Sequence, residues 1–275
     1  MKIDYTFHSH TFRCNHAFGE ISEYVDLAVK NGFKIYGVSD HVFLPGVHNP
    51  EIRGDYSLFS DYVQQYQLAK EKYPQIEMYL GFECEYSEVF LDYYRSLLKE
   101  KGFDYLICGQ HCGFDSNKKL YGYFSKDIPL SSSFAKFKKD IEGAMKCGLF
   151  LYIAHPDLFF VATTEVNEEC KKMTKDIIDL AIKYDAVFEI NINGFNRNHV
   201  RDNEYYIDYP CEYFWQEVAK TNIPVVYGGD YHIPDQIEDK SLTRKLNDLI
   251  NKTHVKLADI KEVYIEYKNK LKEIL

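Results

Sequence analysis

The chain has no Cys-x-x-Cys pair, no Pro/Gly/Ser-rich linker, no long apolar segment and no excess of basic residues. Each absence excludes something. The cysteines number seven (Cys14, Cys84, Cys108, Cys112, Cys147, Cys170 and Cys211). An odd count without paired spacing fits reduced thiols in the cytoplasm better than a disulfide framework. No run approaches the ~20 apolar residues that span a bilayer. The start MKIDYTFHSH carries no apolar core of a secretion signal. A cytoplasmic protein with no membrane partner is therefore expected. Lys and Arg total 33 against 42 Asp and Glu, a formal charge of −9. Extended nucleic acid calls for a basic surface and is excluded as a partner. A small anionic substrate is not, because bound cations can reverse the local field. Without a linker, low-complexity tract or close repeat, residues 1–275 read as a single domain, a common length for one α/β barrel. Nothing in the sequence specifies an oligomeric state.

Apolar runs and amphipathic segments alternate along the chain. Strands are expected near Lys2–Phe7, Lys34–Asp40, Ile76–Glu83, Tyr105–Gln110, Leu149–Ala154, Ala186–Asn191 and Ile223–Gly229. Helices are expected at Ile21–Asn31, Ser57–Tyr73, Ser87–Lys101, Phe134–Cys147, Asn167–Tyr184, Glu212–Thr221, Asp235–Asn251 and Leu257–Leu275. The strands read as continuous apolar runs, as parallel strands covered on both faces do. Gly32, Gly102 and Gly148 stand where left-handed helix caps are needed, and Ser131–Ser133 can cap the helix that follows. Seven strand–helix units point to a TIM-like α/β barrel with one unit fewer than the usual eight, a (β/α)7 barrel whose active site lies at the C-terminal ends of the strands. The longest loops, Val42–Tyr56 and Cys112–Leu130, follow strands.

Metal-type side chains collect on that rim. His8 and His10 end the first strand and, two apart in extended chain, face the same way. His16 lies in the next loop. Asp40 and His41 end the second strand, and Glu83 the third, with Glu85 as competitor on the same face. His111, His155 and the pair Asp230/His232 end the fourth, fifth and seventh. A single histidine at a strand end is commonly a hydrogen-bonded structural residue. Seven of them with buried acids on one rim need a shared partner, since buried polar groups without partners cost several kcal/mol. Nine ligands exceed one ion's coordination. They fit two or three divalent ions sharing a bridging carboxylate and water, and imidazole-rich sets suit Zn, Fe or Mn. His48, His199 and His254 fall outside the pattern.

In order, HSHTFRCNHA, Asp40-His41, GFE, GQH, AHPD and GDYH resemble the motifs of the PHP (polymerase and histidinol phosphatase) superfamily over nearly the whole chain, and most closely its histidinol-phosphatase branch. The resemblance implies a distorted seven-stranded barrel with a trinuclear centre. One ion takes His8, His10, Glu83 and Asp230; a second takes Glu83, His111 and His155; a third takes His16, His41 and His232. The place of Glu83 in G-x-E disfavours Glu85. GGDYH departs from the family in the residues flanking Asp230.

The implied activity is metal-dependent hydrolysis of a small phosphorylated substrate, L-histidinol phosphate, in histidine biosynthesis. A hydroxide shared between ions attacks phosphorus in line. The catalytic candidates are Glu83, Asp230 and Asp40, the last as proton source for the leaving alkoxide in competition with a metal-bound water. EININGFNRN resembles the family's stretch after the sixth strand and makes Arg197 the first candidate for holding phosphate, with Arg13 second. Two alternatives stay open: a PHP phosphoesterase for another phosphomonoester (a nucleotide or phosphotyrosine), and a metal-binding regulatory domain without turnover.

Overall fold

The computed structural model describes residues 1–124, 128–201 and 203–275. Among them, the strands are β1 (Tyr5–Thr6), β2 (Ile35–Val38), β3 (Glu77–Cys84), β4 (Tyr105–Cys108), β5 (Cys112–Phe114), β6 (Leu120–Gly122), β7 (Phe188–Asn191), β8 (Val200–Arg201), β9 (Glu204–Tyr205) and β10 (Val225–Gly228). The helices are α1 (Ile21–Lys30), α2 (Phe59–Lys72), α3 (Leu91–Lys99), α4 (Leu130–Cys147), α5 (Glu168–Tyr184), α6 (Glu212–Val218), α7 (Lys240–Thr253) and α8 (Ile260–Ile274).

Strands β1-β2-β3-β4 form one parallel sheet, a curled half-barrel, and β7 pairs in parallel with β10. The expected strand Leu149–Ala154 forms no ladder. Its Ile153 instead makes isolated parallel bridges to Cys108 on one side and Phe188 on the other. A further parallel bridge joins Ser9 to Tyr231. Two short antiparallel hairpins, β5–β6 and β8–β9, add to the strand–helix alternation. The first lies inside the expected loop Cys112–Leu130, whose residues 125–127 are outside the described set.

β2, β4, β7 and β10 are buried along their whole length, which explains the apolar sequences of β2, β4 and β10, whereas β7 carries the buried polar pair Glu189 and Asn191. Much of the tyrosine serves the core. Buried hydroxyls of Tyr62, Tyr66 and Tyr105 donate to the backbone carbonyls of Gly81, Met78 and Phe7 at 2.8–3.0 Å, so each ring fills apolar space and satisfies a carbonyl as well. The glycine stops are as expected: Gly148 ends α4 at φ 68°. The serine cap is not. Pro129 occupies the N-cap position of α4 and Ser131–Ser133 lie within its first turn. Among the described residues no helix is long and apolar enough to cross a membrane.

Candidate metal centre

Strand pairing assembles the centre. Asp230 N–H donates to His8 O and His10 N–H to Tyr231 O, both at 2.8 Å, locking the end of the first strand to the segment after β10. That zipper puts His8, His10 and Asp230 together. A parallel bridge between His41 and Glu83 does the same for the next two strand ends. His155 and Asp230 hold left-handed backbone, at φ 32° and 49°. Such conformations are costly for non-glycine residues and tend to persist where surrounding structure enforces them at functional positions.

Glu83 lies at the middle. Its Oε1 is 3.1 Å from His155 Nε2, 3.3 Å from His8 Nε2 and 3.6 Å from His111 Nε2. Its Oε2 is 3.0 Å from His41 Nδ1 and 3.4 Å from His10 Nε2. Asp230 Oδ1 lies 3.0 Å from His10 Nε2, 3.4 Å from His8 Nε2 and 3.3 Å from His232 Nδ1. Burial pushes both carboxyls up, but the ring of imidazoles holds them well below the usual carboxylate range.

His155 Nε2 meets Glu83 Oε1 in hydrogen-bond geometry, but most of these close approaches are not hydrogen bonds. His8 Nε2, both ring nitrogens of His10, His41 Nδ1 and Glu83 Oε2 are buried and have no correctly aimed hydrogen-bond partner. Five orphaned donor or acceptor atoms aimed at one another would be expensive in a finished core. They are the ligand atoms a cluster of cations needs, so the residues fit the metal that the motifs imply.

Ligand atoms within 4.8 Å of one another define the sets His8/His10/Asp230, His41/Glu83/His111 and Cys14/His16/His232. His41 also groups with His10 and His232. The Cys14 sulfur thus lies near His16 and His232, and His41 stands between the Glu83/His111 and His10/His232 groups.

A second layer of residues aims the ligands. Glu189, fully buried, stands 2.8 Å from His8 Nδ1. Asn191 donates at 3.2 Å to both Glu189 Oε2 and Asp230 Oδ2. Sequence reading missed Glu189, although it precedes Asn191 by two residues in an extended strand and so shares its face. Glu85 does not compete with Glu83. It is paired to Arg53 at 2.6 Å and faces His111 Nδ1 at 3.4 Å; against the cost of burial, these two hold its carboxyl below its ordinary value. Two glycines make room for the acids. A Cβ on Gly109 would stand 1.8 Å from Glu83 Oε1, and one on Gly228 1.6 Å from Glu189 Oε1.

A family model, the PHP domain, matches residues 6–193, more than half of the chain. The chain belongs to the PHP family. The "Probable histidinol-phosphatase" of Schizosaccharomyces pombe is 21% identical over 267 residues, covering 84% of this chain and 81% of that one. A Lactococcus lactis histidinol phosphate phosphatase, solved with zinc, L-histidinol and phosphate, aligns at TM-score 0.66 with 15% identity, covering 93% of this chain and 95% of that one. A Listeria monocytogenes protein assigned as the histidinol phosphatase hisK aligns at TM-score 0.63 with 20% identity, covering 87% and 99%.

Within this PHP domain the other predicted residues divide. Asp40 is fully buried, accepts from the Thr11 backbone N–H at 3.2 Å and from the Thr11 hydroxyl, and stands 3.7 Å from His10 Nδ1. It backs His10 from a fully buried position. Arg13 is only 1% exposed, and its guanidinium is consumed by Glu20 at 2.6 Å, Asp61 at 2.7 Å and Thr11 at 3.2 Å. That corrects its assignment to phosphate. Arg197 is partly exposed. Its Nε donates to buried Asp208 at 2.5 Å, and its plane lies 5.0 Å from the ring of Tyr209. Tyr209 in turn sits 5.3 Å from the His155 ring, which links Arg197 to the rim of the centre. His48 is exposed, His254 caps α7, and His199 stacks on Tyr205.

Proposed function

We propose that this PHP protein is a metal-dependent phosphomonoesterase that hydrolyses L-histidinol phosphate to L-histidinol and phosphate in the cytoplasm. The observation that carries the reading is the meeting of five imidazoles on Glu83, with the facing nitrogens of His8, His10 and His41 left without hydrogen-bond partners. The histidinol phosphatases among its relatives supply the substrate. The barrel is read as seven-membered, because parallel bridges at Ile153 and Ser9 link the two parallel sheets at both edges.

Two or three Zn, Fe or Mn ions would be held by His8, His10, His16, His41, Glu83, His111, His155, Asp230 and His232. When bound, they supply Lewis acidity and a nucleophilic water at neutral pH. The side chains prepare this. Glu83 has one oxygen for each side of the centre. Glu189, facing His8 Nδ1, fixes the proton there and leaves the Nε2 lone pair free. Backbone carbonyls of Cys14 and Asp230 accept from Nδ1 of His16 and His232, each at 2.9 Å, and free Nε2 in the same way. Arg197, its Nε fixed by Asp208, directs its terminal nitrogens to the phosphoryl oxygens, where a forked donor matches the acceptor geometry.

The test is turnover of histidinol phosphate by metal-loaded protein beside a panel of nucleotides, phosphotyrosine and p-nitrophenyl phosphate. A kcat/KM for histidinol phosphate well above all others is expected. Preference for another ester would replace the substrate, and no turnover of any would overturn the assignment.

A further inference from the structure

The motif between the first two metal-type histidines and His16 contains a thiol that the proposed centre leaves unused. Cys14 is fully buried, yet its sulfur lies within 4.8 Å of ligand atoms of both His16 and His232. Those two imidazoles are already aimed: each spends Nδ1 on a backbone carbonyl. On the inner side, His10 is fully buried with neither ring nitrogen partnered, and it too stands within 4.8 Å of the Cys14 sulfur. Burial pushes the thiol pKa up, so without an ion the sulfur keeps its proton, and coordination would expel it.

The short chain segment makes this possible. Residues Phe12–Cys14 form one turn of 3-10 helix, closed by Asn15 in left-handed conformation at φ 70°. That reversal brings residue 16 back beside residue 14, so the Cys14 sulfur and the His16 ring face one point. A shared ion would stand ~2.3 Å from sulfur and ~2.0 Å from nitrogen, and atoms within 4.8 Å of one another would need only a small movement to close on it.

We propose that Cys14, as thiolate, joins His16 and His232 in holding the outermost ion, so that one sulfur and two imidazole nitrogens make that position selective for soft divalent metals. The inference rests on the metal-centre reading above. On binding, the thiol proton leaves to solvent as the sulfur–metal bond forms. His41 is thereby released to the inner pair of ions, with Glu83 and His111. A thiolate favours Zn over Mn at that position, whereas a purely imidazole and carboxylate set tolerates either.

Cobalt(II) reads sulfur ligation directly. The full-length protein, stripped and reloaded with Co(II), is expected to show a near-ultraviolet thiolate-to-cobalt charge-transfer band. Cys14→Ser should abolish the band and weaken the most loosely held ion by ten-fold or more, while the tighter ions stay bound. Zinc-edge X-ray absorption on the unmutated protein is the second measurement, independent of whether the variant folds. One sulfur in the zinc shell is expected. Absence of both the band and the sulfur shell at full loading, or their survival in Cys14→Ser, would overturn the proposal. A protein that turns over histidinol phosphate but shows only nitrogen and oxygen ligands would sink this inference and leave the phosphatase reading standing.

Discussion

Glu189 holds His8: Oε1 of the one lies 2.8 Å from Nδ1 of the other, both wholly buried and 181 residues apart in the chain. The pair decides which nitrogen of His8 is free, and Asn191 extends it to Asp230. Carboxylates in this position typically matter 10–100-fold in metal affinity or activity. Glu189→Gln keeps the shape and removes the charge. It should lower metal affinity by about ten-fold or more, read by competition with a chelating dye, with unchanged far-UV circular dichroism. Wild-type affinity in the variant would mean that Glu189 is a core residue without influence on the centre.

Gly109 offers a cleaner perturbation of Glu83. A methyl group there would stand 1.8 Å from Glu83 Oε1, whereas Gly122 has nothing within 4 Å of the same added atom. Gly109→Ala must displace the carboxylate. Activity should fall at least 100-fold and bound metal should drop, while Gly122→Ala stays near wild type in both. Full metal content and activity in Gly109→Ala would show that Glu83 is not the centre's pivot.

How far was this legible beforehand? The side chains that meet around Glu83 were, because a side chain at a strand end shows itself by following an apolar run: His8, His41, Glu83 and His111 are found that way. Glu189 was not, because it sits inside its run, in FEIN, and its partner is distant in sequence. Cys14 was read as one reduced thiol among seven; only the left-handed turn at Asn15 brings it to His16. Arg13 looked like a phosphate ligand because nothing local announces Asp61, which reaches it from α2. The β5–β6 hairpin was taken as loop. Its strands are three residues long, too short for periodicity, although Asp115 does accept from the backbone of Asn117 and Lys119 as turn chemistry dictates. The strand expected at Leu149–Ala154 reduces to bridges at Ile153, so a buried apolar run showed where a barrel segment lies but not how much ladder it forms.

The two arginines separate by kinetics. Arg197 is partly exposed and tied to Asp208 through Nε alone among its nitrogens at close range. Arg197→Ala should raise KM for histidinol phosphate ~10–100-fold, since hydrogen bonds to charged groups contribute about 1.5–3 kcal/mol. Arg13→Gln should instead lower the melting temperature by several degrees, because it leaves Glu20 and Asp61 without their cation, and leave KM near wild type. A raised KM in Arg13→Gln with an unchanged melting temperature would return Arg13 to the phosphate site.

Metal removal has a pH signature. Burial alone would lower the His10 pKa, but Asp230, Asp40 and Glu83 together push it up to about 9. A folded value above the unfolded ~6.5 means that, in metal-stripped protein, the stabilisation from protonated His10 is complete below pH ~6.5 and is lost as pH rises through about 9. His232 works the other way: burial and the charge of His10 lower it to about 4, so its contribution is complete above ~6.5 and lost toward about 4. Between pH 6.5 and 9 the His10 effect stands apart from that of His232 and adds to those of His8 and His111, which neighbouring carboxylates also raise. Metal requires the neutral imidazole, so binding must expel the His10 proton within that window. Calorimetric titration of stripped protein with Zn at pH 7.5, in two buffers of different ionisation enthalpy, should give heats that differ by the protons released. Scanning calorimetry should show the stripped protein's melting temperature falling from pH 6.5 to 9 while the gain on adding metal grows. Equal heats in both buffers, with a flat melting temperature over that range, would mean that His10 is already neutral and that the three carboxylates do not govern it.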